Sequence, residues 1–128
     1  MLYLDSPSTV GFSICEDECI YNDEKVVSET LDVMMQFYEK FGEIASNNLY
    51  LYGNFYGGVT VPKIAKGIHD YNANATGATI PLKGMMINNG VTDLQYDGAQ
   101  SAVEFAYYRG LIDTQTWDDI TKADCDFS

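Results

Sequence analysis

Asn48-Leu49-Tyr50-Leu51-Tyr52-Gly53-Asn54-Phe55-Tyr56-Gly57-Gly58-Val59-Thr60-Val61-Pro62 is the stretch whose reading decides the fold. Asn48–Tyr52 is apolar after its first residue, as in a strand buried on both faces. It runs straight into a glycine-framed turn. Beyond the turn Val61, Ile64, Ala65 and Ile68 recur at helical spacing. Pro62 is expected in the first helical turn, where a missing amide costs little. The frame Gly53-Asn54-Phe55-Tyr56-Gly57 keeps the glycine spacing of a nucleophile elbow, Gly-x-Ser-x-Gly. In such an elbow the glycines allow a sharp bend, and the middle residue is held above the sheet beside a helix N-terminus. The middle residue here is Phe55, whose ring has no lone pair with which to attack a carbonyl. By local sequence alone the stretch is equally a tight strand-to-helix turn carrying an aromatic. The spacing fits neither a dinucleotide loop nor a phosphate loop.

On the N-terminal side, Val27, Leu31, Met34, Tyr38 and Phe41 form one helical stripe. Asn22 or Asp23 stands as its cap, and Gly42 closes it. The acidic stretch Glu16 to Glu24 reads as solvated loop. Leu2-Tyr3-Leu4 looks like a short buried strand entering the turn Asp5-Ser6-Pro7. On the C-terminal side a polar loop spans Asn72 to Thr79, and Leu82–Ile87 is a further strand. Two helices are expected from Gln100 to Tyr108 and from Asp113 to Lys122, separated by Gly110. Met34, Met35, Met85 and Met86 fall within the apolar patterns and are expected in the core. Strand, helix, strand, helix, strand is the alternation of an α/β fold with a parallel sheet, here read as one compact unit over residues 1–128.

Composition narrows the function. The 128 residues are 46% hydrophobic and 20% charged, which suits a folded core. A net charge of −12 argues against nucleic-acid or anionic-membrane partners. No apolar run is long enough to span a membrane, and the opening residues lack the basic region of a signal peptide. Cys15, Cys19 and Cys125 are too few for a disulfide scaffold. Cys15 and Cys19 have no second ligand pair for zinc, so neither a metal nor a cofactor is expected. They fit a local loop, or partners outside this chain. Asn74-Ala75-Thr76 is a glycosylation sequon. The one histidine, His69, lies about 20 Å from Phe55 along the predicted helix and reads as a surface residue. Asp93 and Asp97, beside Gly90 and Gly98, read as turn residues.

Several segments together resemble one family, the serine carboxypeptidases of the α/β-hydrolase fold. Leu2–Pro7 with Val10–Ser13 resembles its L-x-L-D-x-P-x-G-x-G-F-S segment. Phe41–Glu43 resembles its F-P-E. The opening stretch resembles its F-Y-x-x-G-E-S-Y-A-G-x-Y-V-P. Leu82–Gly84 with Asn89-Gly90 and Thr92-Asp93 resembles L-K-G-x-x-x-G-N-G-x-x-D. Glu104–Ala106 with Gly110–Ile112 resembles E-F-A-x-x-H-G-L-I. Cys125 sits where the family often has a cysteine.

The resemblance places Phe55 at the nucleophilic serine and Asn54 at a glutamate that helps bind the substrate's terminal carboxylate. Gly53 and Gly57 frame that site. It places Tyr56 at the residue whose backbone amide forms half the oxyanion hole. The family's W-x-N-G-G-P-G motif and the later aspartate and histidine of its triad have no counterpart, so the resemblance covers the middle of a family member. It implies serine-type hydrolysis of C-terminal peptide bonds as the family activity. For this chain the expectation is a catalytically inactive scaffold or a fragment. A non-catalytic module binding peptide C-termini is the alternative. The family setting implies a secretory, vacuolar or lysosomal location and glycosylation at Asn74.

Overall fold

The structure, a computed structural model, describes residues 1–16 and 19–124. It contains helix α1 (Asp23–Lys40), a 3-10 turn (Gly42–Ile44), strand β1 (Leu49–Asn54), helix α2 (Gly57–Asn74) and strand β2 (Leu82–Asn88). Helices α3 (Leu94–Asp97), α4 (Ala99–Tyr108) and α5 (Thr114–Lys122) follow. The chain divides into two compact units, one ending at Gly90 and the other beginning at Val91.

In the first unit β1 and β2 pair in parallel, with α2 as the crossover. A parallel pair needs such a connection, because a hairpin turn cannot return the chain to the same end of the sheet. This is the α/β alternation expected from the apolar patterns. The register runs Leu49 opposite Leu82, then skips Lys83, so that Tyr50 faces Gly84 and Asn54 faces Asn88.

Helix α1 begins as its sequence dictates. The Asn22 side chain accepts the Lys25 amide at 2.8 Å, and Asp23 and Glu24 follow in the first turn, where the helix dipole favours negative charge. Its stripe meets that of α2 over the sheet. Met34, Ile68 and Ile80 form the buried core, with Leu31, Tyr38, Ile64, Leu49, Leu51 and Leu82 packed around it. Ile68 is fully buried. Gly67 lets the helices approach: a Cβ there would stand 2.9 Å from Val27 Cγ1. Asn72, in the last turn of α2, accepts the Ile80 amide at 2.9 Å and donates to the Ile80 carbonyl at 2.8 Å. That pair ties the loop before β2 back to the helix.

Several expectations are corrected. β1 is covered on one face only: Leu49 and Leu51 face the helices, while Tyr50 and Tyr52 are 57% and 63% exposed. Both α1 and α2 pack into the core on the Leu49–Leu51 side, and no helix of the first unit packs on the other. Met86, paired with Tyr52 on the uncovered face, is exposed; Met85 is exposed too, although its partner Leu51 faces the helices; Met35 lies on the outer side of α1, and Met34 alone of the four is buried. Leu2–Leu4 is not a strand, and all three residues are exposed, because no strand lies beside them to pair with. Phe41 leaves the apolar stripe and packs on Phe37, ring centres 5.0 Å apart. Gly42 is not a left-handed cap but opens the 3-10 turn. Pro62 falls in the second turn of α2, since the helix begins at Gly57. Its missing amide leaves the Gly58 carbonyl without that acceptor role.

Cys15 and Cys19 form a disulfide, with Cα atoms 6.3 Å apart. Cys125, with Asp17 and Glu18, lies outside the described residues. In the second unit Asp97 accepts the Thr92 amide at 2.8 Å and the Asp93 amide at 3.0 Å. These bonds hold its carboxyl below the usual carboxylate range; Asp97 is the last residue of the short helix α3 rather than a turn residue, and its carboxylate holds the start of that helix. Asp113 caps α5 by accepting the Thr116 amide at 2.8 Å. Gly110, at φ +68°, ends α4, and Tyr107 stacks on Trp117 with ring centres 4.6 Å apart.

Candidate functional site: the elbow between β1 and α2

The turn from β1 into α2 is tight because its glycines have no room for side chains. A Cβ on Gly53 would stand 2.6 Å from Val61 Cγ2 and 2.9 Å from Gly57 Cα. Gly90, after β2, lies under the start of α2, where a Cβ would meet Gly58 Cα at 3.1 Å. The Gly53 contact with Gly57 Cα is closer than real Cβ atoms come, and the Gly90 contact would force Gly58 to give by a few tenths of an ångström, so strand and helix meet closely here because these positions are glycine.

Phe55 stands at the apex with φ +52°, a left-handed conformation that L-residues rarely adopt. The surrounding bonds hold it there. Its amide donates to the Asn88 carbonyl at 3.2 Å, and its carbonyl accepts the Gly58 amide at 3.0 Å. The Asn88 side chain donates to Asn54 Oδ1 at 3.2 Å across the strand ends. The ring of Phe55 is 62% exposed. The turn therefore has the geometry of a nucleophile elbow: strand end, strained apex, helix start.

Tyr56 is the residue before the first helical position of α2, and its carbonyl accepts the amides of Val59 at 3.0 Å and Thr60 at 3.2 Å. Its own N–H precedes the first intrahelical bond, so the helix supplies it no acceptor. A second set of contacts joins the elbow to α1. The Tyr56 hydroxyl donates to Asp23 Oδ1 at 3.0 Å, and Lys63 Nζ donates to Asp23 Oδ2. The Lys63 and Tyr56 donors hold the Asp23 carboxyl below its usual range. Asp23 in turn raises the Lys63 ammonium and the Tyr56 hydroxyl above theirs. Sequence reading missed this trio. Asp23 lies in an acidic run and Lys63 on a helix face, and no local pattern links them.

Gly53, Asn54, Phe55, Tyr56 and Gly57 are thus brought together. His69 is not: it lies exposed on α2. Asn74 is the last residue of α2, exposed, with its side-chain amide donating to the Asp70 carbonyl at 2.8 Å. Among the described residues no group of three or more His, Cys, Asp or Glu side chains could hold a metal. No helix is long and apolar enough to cross a membrane.

Comparison with known proteins agrees with this geometry. The family model for serine carboxypeptidase matches residues 1–128. The venom serine carboxypeptidase of Apis mellifera is 39% identical over 119 residues, which is 88% of this chain and 24% of that protein. Serine carboxypeptidase-like 21 of Arabidopsis thaliana is 35% identical over 98% of this chain and 25% of its own length. The lysosomal protective protein of Mus musculus is 31% identical over 98% of this chain and 25% of its own length. Among solved structures, Kex1(Δ)p, a prohormone-processing carboxypeptidase from Saccharomyces cerevisiae, superposes with a TM-score of 0.77 at 26% identity, over 93% of this chain and 27% of that one. The chain spans about a quarter of the length of these relatives. With the elbow, the parallel strand pair and the full-length match together, the chain belongs to the serine carboxypeptidase family.

Proposed function

We propose that this chain is a serine carboxypeptidase scaffold that does not form an acyl-serine, and so does not carry out the family's hydrolysis of C-terminal peptide bonds. The observation that supports this is Phe55 at φ +52° on the elbow apex, the position that the family resemblance assigns to the nucleophile. Acyl transfer needs an atom with a donatable electron pair at that apex and a base to take its proton. A phenyl ring supplies neither. The Tyr56 amide keeps the position of an oxyanion donor, yet an oxyanion forms only after attack.

The test is labelling with a fluorophosphonate, which reacts with activated serines. No adduct is expected on the 128-residue chain. A stoichiometric adduct mapped to any serine of the chain refutes the reading. Phe55→Ser alone is expected to restore no labelling, because the one histidine of this sequence, His69, stands away from the elbow on α2.

We further propose that the chain follows a secretory or lysosomal route. The Cys15–Cys19 disulfide supports it, since such bonds persist where thiols are not kept reduced. Expression in a eukaryotic secretory host should yield a glycan at Asn74 that Asn74→Gln removes. A chain that traverses that pathway without a glycan contradicts the assignment of Asn74. Recovery of Cys15 and Cys19 as free thiols from that host contradicts the route.

A further inference from the structure

The Cys15–Cys19 disulfide closes a ring over residues 15–19. Only Ile20, Tyr21 and Asn22 lie between that ring and α1. Asn22 is the helix cap, in an extended conformation, and its side chain accepts the Lys25 amide at 2.8 Å. The next residue, Asp23, accepts from the Tyr56 hydroxyl at 3.0 Å and from Lys63 Nζ. On the other side of the ring the chain is fastened down. Ser13 Oγ donates to the Asp5 carbonyl at 2.6 Å, and Ser8 Oγ donates to Glu29 Oε2 at 3.4 Å. Cys15 thus follows an anchored segment, and the disulfide carries that anchorage across to Cys19, the α1 cap and the elbow.

Two features oppose this arrangement. The Tyr21 hydroxyl is buried and, among the described residues, makes no hydrogen bond. A buried hydroxyl without a partner has given up its hydration for nothing. The ring also encloses Glu16-Asp17-Glu18, successive like charges that repel one another. Both favour a looser segment. The attraction of Lys25 Nζ to the Tyr21 ring, 4.7 Å from its centre, works against release, and so does ring closure, which limits the conformations open to the chain before α1.

We propose that the Cys15–Cys19 disulfide is a redox-sensitive latch on the elbow. Oxidised, it holds the α1 cap in place, and Asp23 retains Tyr56 and Lys63. Opened by a dithiol reductant, it lets residues 20–23 leave their places and frees the Tyr56 side chain. Both cysteines are only half-buried, so they are not sealed in the core. A reductant thiolate attacks one cysteine sulfur, and the other cysteine leaves as a thiolate. The second thiol of the reductant then closes its own disulfide and expels the remaining cysteine, so that two electrons and two protons pass to the pair. The latch acts on the position of the elbow and does not rest on what the elbow catalyses.

The experiment is amide hydrogen exchange on the intact 128-residue chain before and after dithiothreitol, with alkylation and mass mapping of Cys15 and Cys19 in both states. The informative amides are those of Lys25 at the cap and of Phe55 and Gly58 on either side of Tyr56. Reduction is expected to speed their exchange about tenfold and to leave Ile68, in the core, unchanged. Cys15→Ser with Cys19→Ser should exchange like the reduced chain and ignore dithiothreitol. Asp23→Ala should leave Phe55 and Gly58 fast in both states, while Lys25 still responds. Tyr21→Phe removes the unpaired hydroxyl and should shrink the response at all three amides. Unchanged exchange at Phe55 and Gly58 on reduction overturns the proposal. Equal acceleration at Ile68 also overturns it, since the bond is then a staple for the whole fold. Free thiols at Cys15 and Cys19 before reduction, or an elbow in Asp23→Ala that still responds, do so too.

Discussion

At Phe55 the backbone is held in a conformation that costs a non-glycine residue about 1 kcal/mol or more. The ring is mostly exposed and contributes little packing in return. Phe55→Gly should therefore raise the midpoint of thermal unfolding, by an amount corresponding to about 1 kcal/mol; a lowered midpoint would show that the ring is held by contacts outweighing the strain. Gly53 is the opposite case. Gly53→Ala places a methyl 2.6 Å from Val61 Cγ2 and should cost about 1–3 kcal/mol, read as a lower denaturant midpoint in urea. Both predictions concern positions that the glycine spacing marked. The spacing located the turn; the dihedral angle at Phe55 shows that its apex is strained.

Among the elements, α1 and α2 are joined by two different means. Ile68 is wholly buried against Met34 and Ile80, so Ile68→Ala should cost about 2–5 kcal/mol, measured by urea denaturation. At the helix ends the Asp23 contacts with Lys63 and Tyr56 do the joining. Their pH dependence follows from the directions of the shifts. Asp23 is lowered in the fold, so its contribution is present above the ordinary carboxylate range and is lost as pH falls through the folded value. Asp97 and Asp113, lowered by the amides they accept, act in the same direction. Lys63 and Tyr56 are raised, so their contribution is present at neutral pH and is lost only as pH climbs past their folded values. Thermal midpoints should fall on acidification below about pH 4, and Asp23→Asn should flatten part of that fall. An Asp23→Asn chain with an unchanged acid profile would show that the trio is a surface contact without weight.

For the whole molecule, the core is small relative to the apolar surface left uncovered. Among the described residues Met34, Val61, Ile68 and Ile80 are the buried apolar ones, while Tyr50, Tyr52, Met85, Met86, Phe105 and Leu111 are exposed. A two-stranded sheet with one layer of helix buries too little to be robust. The 128-residue chain should unfold at a low midpoint and bind an apolar dye such as ANS in its native state. A sharp, high-temperature transition without dye binding would contradict that reading.

What the linear sequence determined is local. Helix spacing, a cap at Asn22 or Asp23, the Gly53–Gly57 turn and the parallel alternation were all readable, because each rests on neighbours within a few residues. The family's motifs were readable for the same reason. Tertiary structure alone decided the rest. Whether Tyr50, Tyr52 and Met86 are buried depends on how many layers cover the sheet, and an apolar run cannot count layers. Whether Leu2–Leu4 is a strand depends on a neighbour to pair with, which composition does not report. The Asp23–Tyr56–Lys63 contacts arise only when segments distant in sequence are set side by side.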